Sequence, residues 1–162
     1  MKYRTGIGQD SHRFLEKVTD KKCIIAGLSF EDAPGLDADS DGDVVFHAIC
    51  NAITSLTHVP ILGKVAIDLC HKEGITDSRV YLDKAFETLG SQKIEHIALT
   101  IEGKRPKFQK RANEIRQSVA TALNLNLDQV GITFTSGDGL TAFGKGEGLM
   151  CYCILTTVES SD

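Results

Sequence analysis

The segment 148–159, GLMCYCILTTVE, is the strongest constraint on how this chain can fold. It is long, and rich in the β-branched and aromatic residues that strands favour. It is also apolar at every position from Leu149 to Leu155. Successive side chains of a strand point to opposite faces, so both faces of this strand are apolar. Helices of the same chain can cover one face. The other needs a different cover, and a second copy of the chain supplies it. The expectation is a mixed β-sheet with helices packed on one face and self-association through the other.

The remaining segments fit that plan. KYRTGIGQ (2–9) reads as a first strand and CIIAGLSF (23–30) as a second, with a turn after it. Residues 31–43 are loop chemistry, dominated by Asp, Gly, Pro and Ser. They end in SDGD, where Ser40 or Asp41 can cap a helix. VVFHAICNAITSLT (44–57) is that helix, with Val45, Ile49, Ala52, Ile53 and Leu56 on one stripe. A second helix is predicted over 77–90, capped by Asp77, with Leu82, Ala85, Phe86 and Leu89 inward and Gly90 at its end. Strands are predicted at 94–103 and 130–136, with a helix over 107–124 between them. The order is β-β-α-α-β-α-β-β, an α/β (α+β) arrangement.

The chain has 162 residues, which suits a single domain spanning 1–162. Its net charge of −4 argues against a protein that coats nucleic acid. Basic residues are concentrated locally, in GKRPKFQKR (103–111) and at Lys145. The five cysteines are odd in number and form no CxxC, and Cys151 and Cys153 share one strand face. They read as reduced thiols of a cytosolic-type protein. Neither a signal peptide nor a membrane span is visible, so a soluble, bacterial-type cytoplasmic protein is expected.

GIGQDSHRF (6–14) carries the chemistry. Asp10 and His12 sit at what reads as the end of a short strand. Residues i and i+2 of a strand point to the same side, so the two can hold one ion together. A catalytic zinc takes three protein N or O ligands and keeps a fourth position open. His47, near the start of the helix 44–57, is the natural third ligand. A lone Asp-x-His also arises by chance, so spacing alone leaves a purely structural reading open. Asp43, one turn before His47, can either accept from the imidazole or cap the helix, and the cap is the favoured reading. His58, His71 and His96 show no ligand spacing.

GIGQDSHRF followed by DSDGDVVFHAICNAI (39–53) resembles the 2-C-methyl-D-erythritol 2,4-cyclodiphosphate synthase family of the non-mevalonate isoprenoid pathway. LGK (62–64), DSR (77–79), RPK (105–107) and TSGDGLTAFGKGEG (135–148) follow in family order, so the resemblance runs almost the full length. It implies a homotrimer with the sheets facing the trimer axis and active sites between adjacent subunits. It implies zinc on Asp10, His12 and His47, as a Lewis acid. It also implies a second divalent ion, Mg2+ or Mn2+, held with the substrate diphosphate by Asp138, where the family has Glu.

The implied substrate is 4-diphosphocytidyl-2-C-methyl-D-erythritol 2-phosphate. Its 2-phosphate attacks the β-phosphorus, CMP leaves, and the cyclic diphosphate forms. No protein nucleophile is required, only positioning and charge neutralisation. By resemblance, Gly103, Pro106, Lys107, Phe108 and Thr135 build the cytosine pocket. Thr135 and the catalytic-side Ser136 offer hydroxyls to phosphate. Ser40, Gly63, Asp68, Ala142 and Lys145 are further substrate contacts.

The chain departs from the family in places. Asp39 stands where a catalytic loop histidine is usual and brings negative charge toward phosphates, so it either points away or binds a cation. Ile61 replaces an aspartate that grips the erythritol, Asn51 replaces another, and Ala66-Ile67 replaces an aromatic-proline pair. Lys145 replaces an arginine and loses its bidentate fork. Two other readings use the same scaffold: a trimeric binding protein for isoprenoid diphosphates, and a zinc phosphohydrolase.

Overall fold

A computed structural model describes residues 1–160. Four strands form one sheet in the order β1 (Lys2–Arg13), β6 (Gly148–Glu159), β4 (Lys93–Glu102) and β5 (Val130–Thr135). β6 runs antiparallel to both β1 and β4, while β4 and β5 are parallel, so the sheet is mixed. Helices α1 (Val44–Thr57), α2 (Lys64–Glu73), α3 (Ser78–Glu87) and α4 (Ala112–Ala122) complete the fold. No helix of the described residues is long and apolar enough to cross a membrane.

β6 alternates as its sequence requires. Leu149, Cys151, Cys153 and Leu155 are fully buried under the helices. Tyr152 and Ile154 point the other way and are 42% and 46% exposed. The register places Ile7 and Ala98 beside Ile154, and Gln9 and Thr100 beside Tyr152. Ile7 is itself 60% exposed. The second face of the sheet is thus a partly apolar surface that nothing among the described residues covers. The five cysteines are free thiols, and burial pushes those of Cys23 and Cys153 up to about 12, so they stay protonated and inert.

α1 lies directly on β1, and glycine makes that possible. A methyl group on Gly8 would overlap the Ala48 carbonyl oxygen and the Ala52 amide nitrogen of α1. One on Gly6 would overlap the Ala52 carbonyl. These clashes are with backbone, so only displacement of the helix relieves them. Gly8→Ala is therefore expected to cost about 3 kcal/mol, at the upper end of core overpacking. It should also separate His47 on α1 from Asp10 on β1. Urea unfolding and zinc titration of that variant check both effects.

Several expectations need correction. Residues 23–30 are not one strand but a hairpin of β2 (Cys23–Ile25) and β3 (Leu28–Phe30). Ala26 and Gly27 turn it, both at positive φ (52° and 74°). β1 continues to Arg13, so Asp10 and His12 lie within it rather than at the end of a short strand. The predicted glycine-lysine loop at 62–64 opens α2, with Gly63 at its N-terminus. α1 is capped by Asp43, as the favoured reading of that residue expects, and not by Ser40 or Asp41. α3 stops at Glu87, before Gly90, and Phe86 is exposed rather than inward. The helix predicted over 107–124 begins with a 3-10 turn, Phe108–Arg111, ahead of α4.

Candidate active site

β1 aims Asp10 and His12 toward the helix layer, and α1 delivers His47 to the same point. The Asp10 Oδ2 lies 3.0 Å from His12 Nε2 and 3.1 Å from His47 Nδ1. The two imidazole nitrogens are 3.4 Å apart. Ligand atoms about 2.0–2.1 Å from a tetrahedral zinc are separated by roughly 3.3 Å. The three donor atoms therefore already form one face of such a tetrahedron. Among the described residues they are the one cluster of three or more His, Cys, Asp or Glu placed to share an ion. His47 is buried, while Asp10 and His12 keep about a fifth of their side chains exposed, so the cluster opens outward.

The charges reinforce one another. Burial pushes the Asp10 carboxyl up, but hydrogen bonds and charge from His12 and His47 outweigh it and hold the carboxyl below its ordinary value. Burial alone would lower His12. The Asp10 carboxylate outweighs it, with help from the Asp37 backbone, and holds the imidazole above its ordinary value. Hard anionic oxygen beside two imidazole nitrogens is a donor set that suits zinc.

A cavity of about 250 Å³ opens over the cluster. Asp39, Ser40, Leu62, Gly63, Ala66 and Tyr81 line it with the three ligands. Asp39 is among the lining residues, and its side chain has a partner within the chain. Its carboxylate bonds His71 Nε2 of α2 at 3.2 Å, and its carbonyl accepts from Cys70 Sγ at 3.2 Å. The Ser40 hydroxyl, nearly buried, accepts from the Gly42 amide at 3.2 Å. Asp68 does not line the cavity. It sits on α2 between Lys64 at 2.7 Å and Lys72 at 3.0 Å, so its charge is already paired.

A second cavity of about 250 Å³ gathers Gly103, Pro106, Lys107, Phe108, Thr135 and Ser136, with Lys104, Lys110 and Phe134. Phe108 stacks on Phe134 at 5.3 Å, giving the pocket a rigid aromatic wall. The five residues expected around cytosine, with Ser136, meet here, while Asp138 does not line the cavity. The Lys107 amide donates to Asp32 Oδ2 at 2.9 Å, which fixes the loop. Asp138 follows on a short 3-10 turn, accepting from the Ser136 hydroxyl at 3.2 Å. It lies outside the Asp10 cluster. Ala142 lines a third cavity with Ser11 and His12, and Lys145 stands exposed in the same returning loop.

Sequence reading missed four contributors. His71 gave no ligand spacing, and the polar α2 that carries it buries only Leu69, so no stripe announces it. Tyr81 lines the cavity from α3. Ser78 touches His47 Nε2 at 2.8 Å, and Asp41 anchors Ser78. These contacts join residues more than thirty positions apart, and no local spacing encodes them.

A mixed-sheet α/β fold with a three-ligand cation site, a lysine-rich pocket and ready phosphate donors defines a class: metal-site proteins built for phosphorylated ligands. The chain belongs to the YgbB family, whose model matches residues 3–158. It is 60% identical over 158 residues to the 2-C-methyl-D-erythritol 2,4-cyclodiphosphate synthase of Chlamydia caviae, covering 97% of this chain and 90% of that one. The enzyme of the same name from Chlamydia felis is 58% identical over the same shares. A solved 2C-methyl-D-erythritol-2,4-cyclodiphosphate synthase superposes with a TM-score of 0.81 at 25% identity, covering 96% of this chain and all of that one. Its CDP-bound form superposes at 0.80, with the same identity and coverage.

Proposed function

We infer that this chain is a 2-C-methyl-D-erythritol 2,4-cyclodiphosphate synthase. It converts 4-diphosphocytidyl-2-C-methyl-D-erythritol 2-phosphate to the cyclic diphosphate, releasing CMP. The observation that carries the reading is the convergence of Asp10, His12 and His47 within 3.0–3.4 Å in a chain of this family. An oxygen of the 2-phosphate forms a bond to the β-phosphorus. The bond from that phosphorus to the bridging oxygen breaks, and the bridging oxygen leaves on CMP.

Zinc held by Asp10, His12 and His47 would supply Lewis-acid polarisation of a phosphate oxygen. Asp138 would contribute a carboxylate to a magnesium or manganese ion that travels with the diphosphate. The remaining work belongs to the chain. Gly103, Pro106 and Phe108 shape the cytosine pocket, and the CDP-bound form of a related synthase supports a cytidine ligand for this chain. Thr135, Ser136 and Lys107 meet the phosphates. Ser40, Gly63 and the apolar Leu62, Ala66 and Ile67 enclose the erythritol side. The Asp39 carboxylate is held by a hydrogen bond to His71 rather than left without a partner. Lys145 and Ala142 belong to the loop that returns toward His12.

The two pockets need two copies of the chain. Asp10 and His12 are on β1, while Thr135 closes β5, at the opposite edge of the four-stranded sheet. Three strand spacings amount to about 14 Å, more than one diphosphate spans. A homotrimer that sets the β1 edge of one copy beside the β5 edge of the next completes each site. It also covers Ile7, Tyr152 and Ile154 at the axis. We place the protein in the cytoplasm as one domain.

The function is tested by CMP release. Zinc-loaded protein with magnesium should liberate CMP from the substrate, and chelation of both metals should stop it. Release that persists undiminished under chelation overturns the metal role. The shared site has its own test. His47→Ala chains and chains carrying Lys107→Glu with Ser136→Ala should each be inactive, and co-expression should restore activity. A site contained in one chain gives no recovery.

A further inference from the structure

The loop 37–43 and the first turn of α3 hold the metal-binding imidazoles from behind. His47 Nε2 lies 2.8 Å from the Ser78 hydroxyl. That hydroxyl is fully buried and donates in turn to an Asp41 carboxylate oxygen. The proton directions are forced. An ionised carboxylate only accepts, so the one Ser78 proton goes to Asp41. Ser78 Oγ must then accept from His47 Nε2–H. With Nε2–H held by Ser78, Nδ1, the atom that faces Asp10 and His12, is the nitrogen left to offer a lone pair to a metal.

Asp41 does more than receive one hydroxyl. It accepts from the Ser78 amide at 3.0 Å and from the Asp43 amide at 3.0 Å. Its own amide donates to the Thr76 carbonyl at 2.9 Å. It therefore ties the loop bearing Asp39 and Ser40 to the start of α3 and to the N-terminus of α1. The second imidazole leans on the same loop, because His12 hydrogen-bonds the Asp37 backbone.

We propose that Ser78 and Asp41 are positioning residues for the metal site: they set the His47 tautomer and orientation and couple metal affinity to the loop that carries Asp39 and Ser40. The inference rests on the metal reading of Asp10, His12 and His47. Partners that accept the distal N–H of a ligating histidine typically contribute a factor of about 10–100 in metal affinity. By linkage, a metal that prefers the ordered loop also orders it.

The test needs no substrate, so it is separate from the synthase reading. Zinc affinity of the full-length protein is measured by competition with a chromophoric chelator. Hydrogen exchange of residues 37–43 is followed with and without zinc. Ser78→Ala should weaken zinc about 10–100-fold, alter the visible spectrum of the cobalt-substituted site and remove zinc-dependent protection of the loop. Ser78→Thr, which keeps the hydroxyl, should restore most of the affinity. Ser78→Ala and Asp41→Ala should be strongly non-additive in zinc affinity, because both act through one N–H. A Ser78→Ala protein that melts lower yet binds zinc and cobalt unchanged overturns the inference. Additive losses overturn the coupling of the two residues. Wild-type protein that fails to bind zinc overturns the metal reading beneath it.

Discussion

Asp43→Ala should lose about 3–5 kcal/mol of stability, more than any other single change in the loop 37–43. Its carboxylate is fully buried and accepts four backbone N–H groups: Ala26 at 2.9 Å, Gly27 at 2.7 Å, and Val45 and Phe46 at 3.1 Å. Two belong to the β2–β3 turn and two to the first turn of α1. Alanine removes a helix cap, which costs about 1 kcal/mol. It also strands the buried Ala26 amide away from water, at about 1–3 kcal/mol, and removes the partner of the more exposed Gly27 amide, worth about 1 kcal/mol. For a chain of this length the midpoint of thermal unfolding should fall on the order of 10 °C.

The same residue has a pH signature. Burial pushes the Asp43 carboxyl up to about 6, with the Asp41 charge adding to it, against the pull of the N–H groups. Unfolded, it titrates near 3.9. The folded state thus holds its proton to higher pH than the unfolded state does. Its contribution to stability is largest below about pH 4 and is lost as pH rises through about 6. Asp43→Asn should abolish that part of the slope. Denaturant unfolding from pH 4 to pH 7 measures it, and an unchanged slope in the variant removes Asp43 as its source.

His47→Ala should reduce kcat/KM at least about a thousand-fold, a loss of roughly 4 kcal/mol in transition-state stabilisation. The variant removes one of three ligand atoms and leaves Asp10 and His12 as a two-ligand site. Circular dichroism should show the fold retained, because His47 packs at the edge of the cavity. The loss should exceed that of Ser78→Ala, which weakens the site without deleting a ligand. Equal zinc affinity in His47→Ala and wild type contradicts the assignment.

Much of this architecture was legible because its signals are local. β6 announces itself by a continuous apolar run, α1 by its stripe, and Asp10 with His12 by the two-residue period of a strand. That residues of 103–109 and 135–136 share one cavity was expected from the family resemblance of those two segments. The failures have a common physical cause, which is long-range partnership. CIIAGLSF reads as one strand because nothing local forces Ala26 to positive φ; the Asp43 carboxylate seventeen residues away does so by binding both turn amides. α2 buries only Leu69 and starts at Gly63 with no side-chain cap, so it lacks both stripe and start signal. Ser78 and Asp41 matter only through the contact that folding creates.

Asp39 lines the cavity over the three ligands. His71 on α2 lies within hydrogen-bond reach of its carboxylate, which therefore has a partner in the chain. Ala66 and Ile67, with Leu62, line the same cavity and make that wall apolar, while Ile61 is buried in the core.

The most direct measurement is a phosphorus NMR time course on the zinc-loaded, magnesium-supplemented protein with the cytidyl-methylerythritol phosphate substrate, beside His47→Ala. The account predicts that CMP and the cyclic diphosphate grow together in equal amounts with wild type, and that neither forms with the variant. CMP accompanied by an open-chain phosphate, or a substrate that stays intact while zinc is bound, contradicts it.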